Sequence, residues 1–341
     1  MQKFFRALLR SAAVTAIAGI CAVQGAGLAA AGDEPKDELR QPFIKAMEGK
    51  TVAFVPTSMG FDITDGWAQY IGADADRFGY KLIVKDPAFK ADVGTQILSS
   101  LIAEKPDVIV VHNIDVQSYT RLLKKAQEAG IKVIQVNMKS AYSTDAFVGA
   151  DFFEMGSKGA EYLVKTCNPK DGKSGEIAVM QGALTAAASV YQITGVMAVL
   201  EKHPEMKLVA NQAADWDSSK AHDIATTILQ QHPNVCGFFG FWDWQDIGIG
   251  TAAKEAGKKV EIVTSGGGNV IDCEKIEDGT FSYVIDFDVP GQARDITDLI
   301  KIYFQNPSAA GSNKIALYTP FKYMDKNNYK SIGCWQLKNK S

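Results

Sequence analysis

Trp242-Asp243-Trp244 is the point in the chain where residue types and spacing suggest chemistry. A carboxylate accepts hydrogen bonds from two hydroxyls, and its charge strengthens them. An indole face covers an apolar CH face at low entropy cost. The triplet follows an apolar run, 235–241, which is too short for a membrane span and flanked by turn residues, so it reads as a buried strand. A helix is predicted over 246–256, stopped by Gly257. The triplet therefore sits at the carboxyl end of a strand, at the mouth of a strand-to-helix turn, where open α/β sheets bind ligands.

Bond-breaking chemistry has little support. Ser265-Gly266-Gly267-Gly268 could cradle a phosphate as a backbone nest. It lacks the Lys-Ser/Thr of a P-loop, and the chain has no dinucleotide-binding fingerprint. There is no Gly-x-Ser-x-Gly elbow and no His-Glu-x-x-His pair, and only four histidines are present. No catalytic residue, cofactor or metal is expected. His112, at a strand end, reads as structural.

The elements that must position the triplet occur twice. A strand over 108–111 ends at His112-Asn113-Ile114-Asp115, and its helix stops at Glu128-Ala129-Gly130. A shift of 127 residues places Pro106 on Pro233, Gly130 on Gly257 and Lys132 on Lys259 without a gap. That period is far too long for a solenoid repeat and reads as a duplicated α/β half. In the first half, strands are predicted at 51–55, 81–84, 108–111 and 132–136, alternating with helices at about 65–78, from Asp92 to Glu104, and 115–129. After Asn137 the cycle restarts. Strands fall at 147–149, 176–180, 207–211, 235–241, 261–264 and 281–285, with helices between them. A last helix runs from Pro290 to about Phe304, and a strand is possible at 315–318. Residues 33–49 read as a polar surface leader. Strict alternation with short connections means parallel, doubly wound sheets with helices on both faces.

The chain has 341 residues, enough for two domains with their own cores. Its formal net charge of -3, with no basic tract, argues against nucleic acid. Lys3, Arg6 and Arg10 precede an apolar run at 12–23 and then Ala29-Ala30-Ala31, the pattern of a secretory signal peptide over 1–31 cleaved after Ala31. Ile20 stands before Cys21 where a lipoprotein signal needs a small residue. Four cysteines then remain, Cys167, Cys236, Cys273 and Cys334, without metal-ligand spacing. Export permits disulfides. Cys167 with Cys236 is one candidate pair, and buried free thiols are the open alternative.

Several marks carry a resemblance over nearly all of the exported chain: Arg77-Phe78-Gly79-Tyr80, Lys105-Pro106-Asp107-Val108 with Asp115, Val133 to Asn137, Gly149-Ala150-Asp151, Gln181-Gly182, Ala214-Asp215-Trp216-Asp217 and Lys254 to Gly257. In this order the chain resembles periplasmic solute-binding proteins of ABC importers, of the ribose- and galactose-binding type, which share their fold with lactose-repressor-type regulators. The resemblance implies a type I periplasmic binding fold: two similar doubly wound parallel-sheet lobes joined by a three-segment hinge. Lobe 1 would be 32–137 plus 288–320, and lobe 2 would be 138–287 plus 321–341. The chain would cross near Asn137, near 286–288 and late in the tail, and a hinge motion would close the lobes on ligand.

The implied site follows residue by residue. Phe61 and Asp62 fall in the first binding loop, Asp115 on a hydroxyl-binding aspartate, and Asn137 at the first crossing. Trp216 falls on an aromatic wall, Trp242 and Asp243 in the next loop, Asn269 in the Gly-rich loop, and Asp286 and Asp288 at the second crossing. Asp115 and Asp243 have helix capping as an alternative, and Asn137 a hinge role. The chain departs from the sugar-binding pattern at three polar grips: Val190 stands where an arginine is usual, Trp242 for an asparagine and Gly267 for an aspartate. A smaller polyol or a modified sugar fits better than an ordinary pyranose, and the acidic candidates disfavour an anion. The implied partners are a small neutral sugar or polyol, the membrane subunits of an ABC permease and a chemoreceptor, for a periplasmic monomer. A cationic or signalling solute in the same fold is the alternative.

Overall fold

The structure is a computed structural model that describes residues 37–338. The expected signal peptide, its cleavage point and Cys21 lie outside the described residues.

In chain order the first elements are α1 (Arg40–Met47), β1 (Thr51–Val55), α2 (Asp62–Phe78), β2 (Lys81–Val84), α3 (Ala91–Glu104), β3 (Val108–Val111), α4 (Thr120–Glu128), β4 (Lys132–Val136) and β5 (Ala146–Gly149). Then come α5 (Phe152–Thr166), β6 (Glu176–Gln181), α6 (Ala187–Leu200), β7 (Lys207–Ala213), α7 (Ser218–Gln231), β8 (Gly237–Gly240), α8 (Asp243–Glu255), β9 (Glu261–Gly266), α9 (Val270–Glu277) and β10 (Tyr283–Asp286). The last are α10 (Val289–Gln305), β11 (Ile315–Tyr318), β12 (Lys322–Met324) and α11 (Tyr329–Ile332).

Among the described residues the strands form two six-stranded sheets, ordered β11-β5-β4-β3-β1-β2 and β12-β10-β9-β8-β6-β7. With the edge strands β11 and β12 set aside, the two orders correspond strand for strand. The 127-residue shift that carries β3 onto the region of β8 and β4 onto that of β9 thus matches equivalent places in two like sheets. The edges differ: β11 pairs parallel with β5, whereas β12 pairs antiparallel with β10. Val52, Phe54, Val108, Val110, Ile134 and Val136 are fully buried, as a parallel sheet covered on both faces requires.

The lobe boundaries need one correction. β5 pairs with β4, so residues 146–149 belong to the first sheet, and the first crossing lies after Gly149 rather than at Asn137. The expected crossing at Asn137 fails because that residue only begins a loop back to its own sheet. The other two crossings fall between β10 and α10 and between β11 and β12, where the tail changes sheets. A second difference is α1, a helix where a leader was expected, with Met47 fully buried in the first lobe's core.

Disulfides join Cys167 to Cys236 and Cys273 to Cys334. The first ties the end of α5 to the approach to β8. The second fastens the tail to α9, and the neighbouring Trp335 donates Nε1–H to the Gly267 carbonyl at 2.6 Å. The first bridge closes a sequence separation of 69 residues. Cys167→Ser with Cys236→Ser is expected to cost about 2–4 kcal/mol through the freer unfolded chain. Urea unfolding of the variant against the parent, both oxidised, measures it; equal midpoints would count against the bridge.

Candidate functional site

The carboxyl ends of both sheets face each other, and the loops that leave them build the site. After β1 the chain passes Thr57 and reaches Phe61, the N-cap position of α2. After β3 it places His112, and after β4 Asn137, whose φ of 55° suits an asparagine better than most residues. The second lobe brings Trp216 after β7 and Trp242 after β8. Trp216 is held at φ 67° by its own amide donating to Gln245 Oε1 at 2.9 Å. Its indole lies on Gly182, where a Cβ would come within 2.0 Å of the ring. The glycine of the Gln181-Gly182 turn is therefore the seat of the tryptophan.

These residues line one cavity between the lobes. Phe61 from the first lobe meets Trp242 from the second edge-on, with ring centroids 5.4 Å apart. Trp242 in turn meets Trp216 at 6.2 Å. Phe89, Phe152, Phe241 and Phe287 complete most of the wall, and Thr57, Thr64, His112 and Asn137 are its polar members. Among the described residues no Asp, Glu, Lys or Arg side chain lines this cavity. His112 is buried; burial pushes its imidazole down to about 3, so the ring is neutral. Thr57 Oγ1 lies 3.3 Å from Nδ1, and Trp67 packs edge-on at 5.0 Å.

Behind the aromatic wall lies a set of carboxyl groups. Asp62, first residue of α2, receives Trp244 Nε1–H at 3.0 Å and the Asn269 amide, both from the opposite lobe. Burial raises its pKa to about 6, although the Trp244 bond works against this. Asp243 opens α8 and is completely buried; its Oδ1 accepts the Trp244 amide at 2.7 Å, and its Oδ2 has no partner. Burial, then the charge of Asp62, raises it to about 8. Asp272 is buried beside it and is also pushed well above the ordinary carboxylate range by burial, then by Asp243. Gly266 allows this crowding, since a Cβ there would come within 2.3 Å of Asp243 Oδ2.

The ten expected residues therefore separate into four places. Phe61, Asn137, Trp216 and Trp242 wall the cavity. Asp62, Asp243 and Asn269 form the contact between lobes behind it. Asp286 and Asp288 sit at the second crossing, where Lys322 reaches them at 3.7 and 2.9 Å. Asp115 stands apart and holds its own turn, accepting the Gln117 and Ser118 amides at 2.7 and 2.6 Å. Burial pushes its pKa up, but the Ser118 hydroxyl and these amides more than offset that and leave it low. Asp115 is thus not the cap of α4, which starts at Thr120 rather than at 115, with Tyr119 at its N-cap position; its carboxylate closes the turn before the helix.

Two contributors stand outside the ten expected residues, one of them, Trp244, within the triplet that the sequence singles out. His112 reads as a structural residue, yet it lines the cavity with Nε2 buried and unpartnered. Trp244 is half-exposed and reaches across to Asp62, a contact that exists only when the lobes meet. Among the described residues no group of three or more His, Cys, Asp or Glu is placed to hold a metal ion.

A sequence profile of the periplasmic binding protein domain matches residues 52–307. The D-allose-binding periplasmic protein of Escherichia coli is 31% identical over 146 residues, which is 42% of this chain and 46% of that protein. The D-ribose/D-allose-binding protein of Pseudomonas aeruginosa is 24% identical over 215 residues, 60% of this chain and 65% of that protein. The matched segments thus span about half to two thirds of these relatives' own lengths. Among solved structures, a solute-binding protein of an ABC transporter from Burkholderia graminis in complex with D-arabinose superposes with a TM-score of 0.74. That pair is 22% identical and covers 83% of this chain and 97% of the other. A galactofuranose-binding protein superposes at 0.73 with 20% identity, covering 83% and 96%. At these identities the structural likeness concerns the fold.

Proposed function

The chain belongs to the periplasmic binding protein domain family, and on that premise we propose that it captures a small neutral sugar or sugar alcohol between its lobes and delivers it to the membrane subunits of an ABC permease. The observation that carries this reading is the cavity between the lobes, walled by rings from both: Phe61 on one side, Trp216 and Trp242 on the other. A ring held between such walls couples binding to closure, because neither lobe alone completes the site. The names of the relatives, which bind D-allose and D-ribose, favour a sugar. The absence of charged groups from the lining, among the described residues, favours a neutral one.

Export through a cleaved signal peptide, a periplasmic location and a monomeric state belong to the same proposal, as does the lack of a catalytic role. A chemoreceptor is a further partner that the closed form would suit. The alternative of a cationic solute loses ground, because the carboxyl groups lie behind the aromatic wall rather than in it.

A thermal-shift screen of the purified protein tests the proposal against pentoses, hexoses, four- to six-carbon sugar alcohols and small amines. A ligand at 100 times its dissociation constant stabilises by about 2.7 kcal/mol. The expected result is a hit among the sugars or sugar alcohols. A response to amines alone would replace the sugar by a cation.

A further inference from the structure

The polar inventory of the cavity narrows the ligand beyond its general class, on the premise that the ligand is a sugar. Seven phenyl and indole rings dominate the wall, Phe61, Trp216 and Trp242 with four further phenylalanines. Most polar neighbours are already engaged. Asn137 Oδ1 accepts from the Ala150 amide and Gln292 Nε2, each at 3.3 Å. Thr64 donates to the Phe61 carbonyl at 3.2 Å. The carboxylates that could grip hydroxyls are turned elsewhere: Asp62 to Trp244 and Asn269, Asp115 to its own turn.

Two buried polar atoms of the wall have no partner among the described residues, His112 Nε2 and Trp242 Nε1, and the more accessible Asn137 Nδ2, whose Oδ1 alone is engaged, is a third donor open to the cavity. His112 and Trp242 are at least nine-tenths buried, at 6% and 9% exposure. An indole N–H can only donate, so Trp242 calls for a ligand oxygen. A neutral imidazole with Nδ1 beside Thr57 Oγ1 can donate or accept at Nε2, as the ligand requires. A cation could not accept from Trp242. A sugar hydroxyl pressed against a phenyl face would lose water and gain no partner, which costs about tenfold or more in affinity for each such group.

We propose that this cavity selects a deoxygenated or O-methylated sugar, held at two oxygens by Trp242 Nε1 and His112 Nε2 with its apolar faces against the rings, over the fully hydroxylated parent.

Calorimetric titration with matched pairs decides it: L-fucose against L-galactose, L-rhamnose against L-mannose, 2-deoxy-D-ribose against D-ribose, and methyl glycosides against free sugars. The expected result is that the less hydroxylated member binds about tenfold tighter in each pair that binds. Trp242→Phe, which keeps a ring and removes the donor, should weaken the tightest of these ligands about tenfold. Equal or tighter binding of the fully hydroxylated members overturns the proposal and leaves the sugar reading standing. Failure of every sugar to bind overturns both. The pair comparison uses the parent protein, so it holds even where the variant fails to fold.

Discussion

Trp242→Ala is expected to weaken binding of the tightest sugar ligand by about a hundredfold or more, the largest effect of any single substitution in the site. Trp242 touches Phe61 across the cleft and Trp216 within its own lobe, so its loss opens the wall on both sides. Truncating a buried Trp typically costs about 3–5 kcal/mol in packing. Part of that cost falls on the closed, ligand-bound form, because the Phe61 contact joins the two lobes. Calorimetry of the variant measures the affinity, and its unfolding midpoint without ligand separates the loss of the wall from loss of the fold. An affinity within about fivefold of the parent, with the fold intact, would place the ligand elsewhere.

The second large effect is a stability that rises as the solution is acidified from pH 8 to pH 6.5. The cause is Asp243, completely buried next to Asp62 and Asp272, with a folded-state pKa raised from 3.8 to about 8. A carboxyl group raised in this way holds a proton in the native state that the unfolded chain releases. Its contribution to stability is full below about 4 and is lost as pH rises through about 8. The slope is about 1.4 kcal/mol per pH unit, or about 2 kcal/mol between pH 6.5 and 8. His112 works in the opposite sense: its pKa is lowered from 6.5 to about 3, so its contribution is present above 6.5 and lost as pH falls through about 3. The window above pH 6.5 therefore reports mainly the carboxyl groups. His222, exposed between Asp223 and Glu255, is raised by the Glu255 bond first and adds a change of the same sign. It is unaltered in Asp243→Asn, so the difference between parent and variant reports Asp243 together with its effect on the neighbouring carboxyl groups. Melting curves at pH 6.5 and 8 should show the parent gaining several degrees on acidification and Asp243→Asn gaining less, with Asp246 and Asp272, also raised by burial, accounting for what remains. The same gain in both proteins would mean that Asp243 titrates as an ordinary carboxylate.

How the sequence relates to these two residues differs. Trp242 was legible because it interrupts a strand-to-helix turn with a large aromatic side chain, and the position of such turns follows from local apolar runs and glycine stops. Asp243 was legible as a polar residue at that turn, but not as a buried acid. Its environment comes from Asp62 on α2 and Asp272 on α9, which are remote in the chain. The pattern at Asp115 was equally local, yet sequence offered it as a helix cap or a ligand contact, whereas its carboxylate closes the turn that precedes α4, an arrangement set by where that helix begins. His112, read as structural, and the role of Trp244, noted only as part of the triplet, were missed for a related reason. Their partners, the cavity and Asp62, do not exist until two lobes meet.

By itself the sequence determined the alternation of strands and helices, the two like halves, and the strand ends at which a site could form. Those properties depend on apolar periodicity, glycine and proline punctuation and a 127-residue correspondence, all short-range or register effects along the chain. Tertiary structure decided that β5 stays with the first sheet, that the four cysteines pair, and that rings rather than carboxylates face the cavity. These depend on which surfaces come together; the same packing buries the acids behind the wall and so pushes their pKa values up, because burial disfavours the charged form.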